Sequence, residues 1–306
     1  MLKEKHFGPV LFIPGENRGR YPNCHSIYLE GDKILIDPGS DRERLIQLRR
    51  DPGVKAVWLT HWHEDHFMHL DLFDDIPLFV SEEDAPPLSD LEVFMDSYGM
   101  DNELEREYWR PLLKKEFHFR PRRPKHFLRD GDIIHLKTGT VEVIGTPGHT
   151  PGHISLFFPD PKVLLLGDYD LTRFGPWYGD LNSSIHKTIN SVGHLRKLPA
   201  RVWLASHEDG IFEEEPGMRW DHYLAVIAER EEKLKDLLKT ARTLDQIVAA
   251  CIVYGRPREP KMFFELGERG HMKKHLEKLM KEGLVVKDGE YYIMSGQKVP
   301  KVPKMS

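Results

Sequence analysis

His61-Trp62-His63-Glu64-Asp65-His66 sets four strong metal-ligand side chains, His61, His63, Asp65 and His66, within six positions. A short apolar run, residues 56–60, comes just before it, so the motif is expected on a tight loop that follows a strand. Two histidines separated by one residue can turn toward one centre from such a loop, while Asp65 and His66 face a second. Imidazole and carboxylate without thiolate suit zinc or iron in a hydrolytic or oxidative site better than a structural zinc site. The chain holds 17 histidines, so a solvated His-rich loop is the alternative reading. Three later segments argue against it by supplying the ligands that a complete site would still lack.

The first is Gly145-Thr146-Pro147-Gly148-His149-Thr150-Pro151-Gly152-His153, where glycine and proline on both sides of His149 build a stiff turn that aims one imidazole. The second is Leu164-Leu165-Leu166-Gly167-Asp168, an apolar strand that ends in a carboxylate. A buried acid there costs free energy unless a cation or hydrogen-bond donors receive it. The third is Arg201-Val202-Trp203-Leu204-Ala205-Ser206-His207, another short run that delivers a histidine at its end. Each segment alone is a weak signal; the four together, in this order, are a strong one.

In that order the motifs resemble the metallo-β-lactamase fold superfamily and, within it, the glyoxalase II-like hydrolases, over roughly residues 8–215. The resemblance implies an α+β fold: an αββα sandwich of two face-to-face sheets with helices outside and a dinuclear metal site at one edge. It also implies that His61, His63 and His149 hold one metal and Asp65, His66 and His207 the other, with Asp168 bridging both. Two divalent cations, zinc foremost with iron or manganese as alternatives, are the implied cofactors. Asp65 and Asp168 are then the catalytic residues. His153 is expected to support a ligand rather than to be one. Asp37, in Leu35-Ile36-Asp37-Pro38-Gly39, matches a buried strand-end acid that orients its neighbours.

At 306 residues the chain has room for one large domain and a small one, and 40% hydrophobic with 30% charged residues is ordinary for a soluble protein. No apolar stretch approaches the roughly 20 residues that span a bilayer, and no signal-peptide core follows the charged N-terminus, so a cytoplasmic protein with no membrane partner is expected. The two cysteines, Cys24 and Cys251, are too far apart in sequence to suggest a disulfide framework.

Along the first two hundred residues, short β-type runs alternate with turns. Residues 26–30 and 33–37 flank Gly31-Asp32 as a hairpin, and residues 42–50 have helical spacing. The span from His66 to His149 is longer than a lean glyoxalase-like chain needs. Its surplus, residues 82–129, combines two helical stretches (88–98 and 103–115) with the basic loop Arg120-Pro121-Arg122-Arg123-Pro124-Lys125. Two readings stand: a lid whose arginines receive an anionic substrate, or a helical insertion packed on the sandwich. After Asp168, the segment Tyr169–Tyr178 offers Arg173, Trp177 and Tyr178 as candidate substrate contacts, with wedges that fix the loop as the alternative.

Beyond residue 215 the pattern changes. An acidic turn (213–217) leads to a long helix over 219–239, a second from Thr243 to about Tyr254, a basic amphipathic helix over 271–282 and a hairpin over Asp288-Gly289. Three helices and a hairpin resemble a winged-helix module, so the expected domains are 1–215 and 216–306. From Pro216 onward 18 Lys/Arg stand against 13 Asp/Glu, a net of +5, which leaves 26 against 36, or −10, for the rest and −5 for the whole chain. The module can therefore pack beside the site, mediate a homodimer or grip nucleic acid through Lys273, Lys274, Lys278 and Lys281; the first two are favoured because Glu277 and Glu282 interrupt the basic face. The tail, 295–306, is expected to fray.

Function follows from the implied metals: a zinc-dependent hydrolase that uses a metal-bridging hydroxide on an ester, thioester or lactone, with a small acyl compound as substrate. Single-strand-specific ribonuclease activity is the first alternative, although only 39 positions separate Asp168 from His207, too few for a large inserted nuclease domain. A mononuclear iron sulfur dioxygenase is the second, although it needs only one of the two ligand sets.

Overall fold

The structure, a computed structural model, describes residues 2–297. Residues 298–306, most of the tail expected to fray, lie outside the described residues. The chain opens with β1 (Lys5–Phe7), β2 (Val10–Ile13), a four-residue turn α1 (Glu16–Gly19), β3 (Ser26–Leu29), β4 (Ile34–Ile36), α2 (Arg42–Arg50), β5 (Ala56–Trp58) and β6 (Leu78–Val80). The insertion follows as α3 (Ala85–Ser89), α4 (Leu91–Tyr98) and α5 (Glu103–Lys115), and β7 (His126–Phe127) closes a seven-stranded sheet in the order β1 to β7. A second, six-stranded sheet is made from β8 (Ile133–Leu136), β9 (Gly139–Gly145), β10 (Ile154–Phe158), β11 (Val163–Leu165), β12 (Val202–Leu204) and β13 (Ile211–Phe212), with α6 (Ile185–Leu195) between β11 and β12. The hairpin read over Gly31-Asp32 is present, with Ile27 opposite Ile36 in antiparallel register.

Side-chain alternation along the strands explains the layering. Phe12, Ile27, Leu29 and Ile36 of the first sheet meet Val143, Leu156, Val163 and Leu204 of the second in one buried cluster. The alternate residues, Leu11, Tyr28, Leu35 and Val57, face outward onto α2 (Leu45, Leu48) and onto the insertion (Phe94, Met95, Trp109, Leu113). On the far face Phe157, Leu164 and Trp203 meet Val192 and Leu195 of α6. The result is two sheets between helical layers. The insertion shares the main core, and its basic loop is tied to Asp74, to which Arg120 and Arg122 both donate.

The C-terminal elements are α7 (Met218–Leu237), β14 (Arg242–Thr243), α8 (Leu244–Ala249), α9 (Lys261–Lys281), β15 (Val285–Asp288) and β16 (Tyr291–Met294), with a small sheet in the order β14-β16-β15. Thr243 and Gln246 form a reciprocal capping box at α8, as the sequence Thr243-Leu244-Asp245-Gln246 suggests. Two expectations need correction. The second helix stops at Ala249 rather than near Tyr254. The third begins ten residues earlier than its amphipathic pattern indicates, at Lys261, because its first turns pack through Phe263 and Leu266 against the core that holds the insertion. Leu266, Gly267, Glu268, His271, Met272 and His275 are all buried, so no single polar face marks the helix in sequence.

Candidate metal centre

The four ligand-bearing segments singled out in the sequence end at the same edge of the sandwich. The loop after β5 carries His61, His63, Asp65 and His66, the β9–β10 turn carries His149, and the ends of β11 and β12 carry Asp168 and His207. Main-chain hydrogen bonds stitch these loops across the two sheets: Ile154 N donates to Thr60 O at 3.0 Å, Ser206 N to Gly167 O at 3.2 Å and His25 N to Ser206 O at 2.7 Å. Gly167 adopts φ +63°, and a Cβ there would lie 2.4 Å from His153 Nε2, so the bend that turns Asp168 inward requires glycine.

Seven side chains converge as two groups: His61, His63, His149 and Asp168 in one, and Asp65, His66 and His207 in the other. His61 Nε2, His63 Nδ1 and His149 Nε2 lie 2.9–3.1 Å from one another. Asp168 reaches both groups: Oδ2 lies 3.3 Å from His149 Nε2, and Oδ1 lies 2.9 Å from His66 Nε2 and 3.3 Å from His207 Nε2. Asp65 Oδ2 lies 3.5 Å from His207 Nε2.

Each histidine has its other ring nitrogen engaged from outside. His66 Nδ1 lies 3.0 Å from Asp37 Oδ2, His61 Nδ1 lies 3.0 Å from Thr60 Oγ1, and His63 Nε2 donates to Asp180 Oδ2 at 2.8 Å. His149 Nδ1 donates to Trp177 O at 3.2 Å and His207 Nδ1 to Gly19 O at 2.5 Å. Such outer contacts select the tautomer and leave the inner nitrogen with a free lone pair. Three inner lone pairs at about 3 Å repel one another unless a cation sits among them; the edge of a tetrahedral zinc–nitrogen set is about 3.3 Å. His66 Nε2 and Asp168 Oδ1 are both buried without a hydrogen bond, although only 2.9 Å apart. The donor set and its unpartnered atoms thus fit two divalent cations.

The electrostatics agree. Burial opposes charge on His66 and His207, but Asp168 and its neighbouring acids outweigh it, holding His66 well above the usual imidazole range and raising His207 to about 10. Burial lowers His61 well below that range and lowers His149 to about 4. Asp168 is held well below the usual carboxylate range because four histidines outweigh its desolvation. The carboxylates around His66 and His207 thus make a strongly negative field, which divalent cations would neutralise.

His153 supports rather than joins the groups: its Nδ1 meets Thr146 Oγ1 at 2.8 Å, and its Nε2 accepts from Asp168 N at 3.1 Å. Asp37 also accepts from Thr60 N and Oγ1, both at 2.8 Å. Of the candidate substrate contacts, Arg173 lines a cleft of about 480 Å³ with Arg18, Asp170 and Glu208. Trp177 and Tyr178 do not line it. Tyr178 is fully buried, its hydroxyl between His275 Nε2 (3.0 Å) and Arg230 (3.2 Å), and Trp177 Nε1 donates to Asp180 Oδ1 at 2.7 Å. These contacts fit the alternative reading of both as wedges that fix the loop.

Three supporting acids escaped sequence reasoning. Asp180 carries no motif. Glu64 lies inside the His-rich motif, yet its partners, the hydroxyls of Tyr21 (2.7 Å) and Tyr98 (2.5 Å), come from distant segments. Asp84 accepts from Thr150 Oγ1 at 2.5 Å and Gly152 N at 2.7 Å, clamping the turn that presents His149. A further grouping, His69, Asp71 and His118, is a salt-bridge network instead, since Arg42 spends both terminal nitrogens on Asp71 at 2.7–2.8 Å.

Asp84 supplies a pH prediction. Burial raises its carboxyl to about 7 despite the two donors. A folded-state value above the unfolded one, about 3.9, means that its stabilising contribution is complete below pH 4 and lost as pH rises through 7. Wild-type unfolding free energy should therefore fall between pH 5 and 8 relative to Asp84→Asn, by at most about 1.4 kcal/mol per pH unit. Parallel denaturation curves for the two proteins at pH 5 and 8 would contradict it.

The profile of the Metallo-beta-lactamase superfamily matches residues 17–207. The chain belongs to that superfamily. It is 32% identical to hydroxyacylglutathione hydrolase GloC of Haemophilus influenzae over 58% of the chain and 79% of that protein. It is 30% identical to a probable metallo-hydrolase of Streptococcus pyogenes, over 54% of the chain and 66% of that relative, so it spans just under two thirds of that relative's length. A metallo-beta-lactamase family protein from Thermus thermophilus has the same fold, with a TM-score of 0.71 at 24% identity over 94% of this chain and 98% of that one.

Proposed function

We propose that the chain is a metal-dependent hydrolase of esters, thioesters or lactones, with thioesters foremost. The observation that carries this reading is the convergence of free inner nitrogens from five histidines on two sides of one carboxylate, Asp168. His61, His63 and His149 would hold one divalent cation and Asp65, His66 and His207 a second, with Asp168 shared. Bound there, two such cations would acidify a water toward neutrality and polarise the acyl oxygen. Asp65, beside His207, would orient that water and take its proton. Arg173 would receive an anionic group of the substrate in the neighbouring cleft. The relative named hydroxyacylglutathione hydrolase supports an S-acyl substrate.

The C-terminal elements fit a winged-helix-like module, since the order α7-β14-α8-α9-β15-β16 with a three-stranded sheet is what such a module requires. Its α9 lysines favour packing over RNA: Lys273 donates to Asp101, Lys274 to Leu181 O and Lys278 to Glu231. The deciding experiment is metal analysis of purified protein followed by a panel of thioesters, lactones and single-stranded RNA. Close to two zinc per chain, with thioester turnover abolished by chelator, is expected. One iron per chain with oxygen uptake on persulfides would replace the hydrolase by a dioxygenase.

A further inference from the structure

Residues 174–180 form a strap between the candidate centre and the C-terminal helices. On its inner side, Trp177 O accepts from His149 Nδ1 (3.2 Å), and Asp180 accepts from His63 Nε2 (2.8 Å) and from Trp177 Nε1 (2.7 Å). The strap thus receives the outer N–H of two of the three histidines in the first group. On its outer side the contacts come from α7 and α9. Arg230, 2% exposed, donates to Phe174 O at 2.7 Å, Pro176 O at 3.0 Å and the Tyr178 hydroxyl at 3.2 Å. His271 Nε2 accepts from Tyr178 N at 3.3 Å, and a Cβ on Gly270 would lie 2.1 Å from Gly179 O, so helix and strap touch backbone to backbone.

A buried guanidinium is costly unless its donors are received. Among the described residues Arg230 has no carboxylate in ion-pair range, and its hydrogen bonds go to the strap. The second group is supported elsewhere, by Asp37 behind His66 and Gly19 O behind His207. Disturbing the strap should therefore loosen one group and spare the other.

We propose that Arg230 and His271 are positioning residues for the first metal group, so that the C-terminal helices tune affinity at His61, His63 and His149. The proposal rests on the dinuclear reading above. It is tested by titrating zinc into metal-free full-length protein in competition with a chelator of known affinity. Wild type, Arg230→Met, Arg230→Lys, His271→Leu and Arg269→Met are compared, the last removing a side chain of α9 that pairs with Glu105 of the insertion and donates no hydrogen bond to the strap. Loss of an outer partner typically weakens a metal site by about 10–100-fold. Arg230→Met and His271→Leu should show that loss at one of two sites, with the other unchanged. Arg230→Lys should be intermediate, and it carries the test if the methionine variant does not fold. Arg269→Met should lower the melting temperature without separating the two affinities. Two unchanged affinities in the Arg230 and His271 variants, or equal weakening of both sites, would overturn the proposal. A wild type that binds fewer than two zinc ions would instead overturn the dinuclear reading itself.

Discussion

Asp168→Ala is expected to purify with about one metal equivalent fewer than wild type and to lose roughly 10³-fold or more in kcat/KM, equivalent to about 4 kcal/mol of transition-state stabilisation. The carboxylate lies between two sets of imidazole nitrogens, with one oxygen toward His66 and His207 and the other toward His149. Removing it leaves nothing at that position to balance two cations or to hold the sets at their mutual distance. Asp168→Asn separates the two contributions. It keeps the shape and discards the charge, and its activity should fall nearly as far, because neutralising two closely spaced cations needs a charge rather than an amide dipole. Metal content by elemental analysis and steady-state kinetics on the best substrate of the panel are the measurements. Wild-type activity in either variant would end the dinuclear mechanism.

Ending the chain after Gly217 is expected to yield insoluble or much less stable protein rather than a free-standing hydrolase. Trp220 and Tyr223 of α7, each 1% exposed, are buried in the cluster that covers the outer face of the second sheet with Leu164, Trp203 and Val192. Leu266 of α9 belongs to the main cluster beside the insertion. Losing a buried large aromatic costs about 3–5 kcal/mol, and two such losses approach the whole stability of an ordinary domain. Trp220→Ala in the full chain provides the graded version, with a melting temperature lower by roughly 10 °C. A soluble, metal-loaded truncation that melts like wild type would show that the C-terminal elements are dispensable to the rest.

The difference between what could be read early and what could not follows from the range of the interactions. The loop between β5 and β6 declares its ligands because they are adjacent in sequence, and a motif needs only local spacing to be visible. The hairpin at Gly31-Asp32, the α2 helix and the capping box at Thr243 are legible for the same reason. Asp180, Asp84 and the Glu64–tyrosine pairs were hidden because each partnership joins segments between 34 and 117 positions apart. Tyr178 looked like a pocket residue because an aromatic near a metal-binding acid has two uses, and only the approach of α9 decides between them.

By itself the amino-acid sequence determined the strand-and-turn rhythm, the family resemblance and the identity of the seven side chains that converge at the sandwich edge. These depend on residue type at short spacing, where side-chain period and turn chemistry act directly. Tertiary structure alone decided which ring nitrogen of each histidine is tied and which is free, where the insertion's arginines go, and that α9 extends back to Lys261 to brace the strap beneath His63 and His149. Each of these is a contact between distant segments. Its geometry exists only once the sheets have packed and the helices have closed over them.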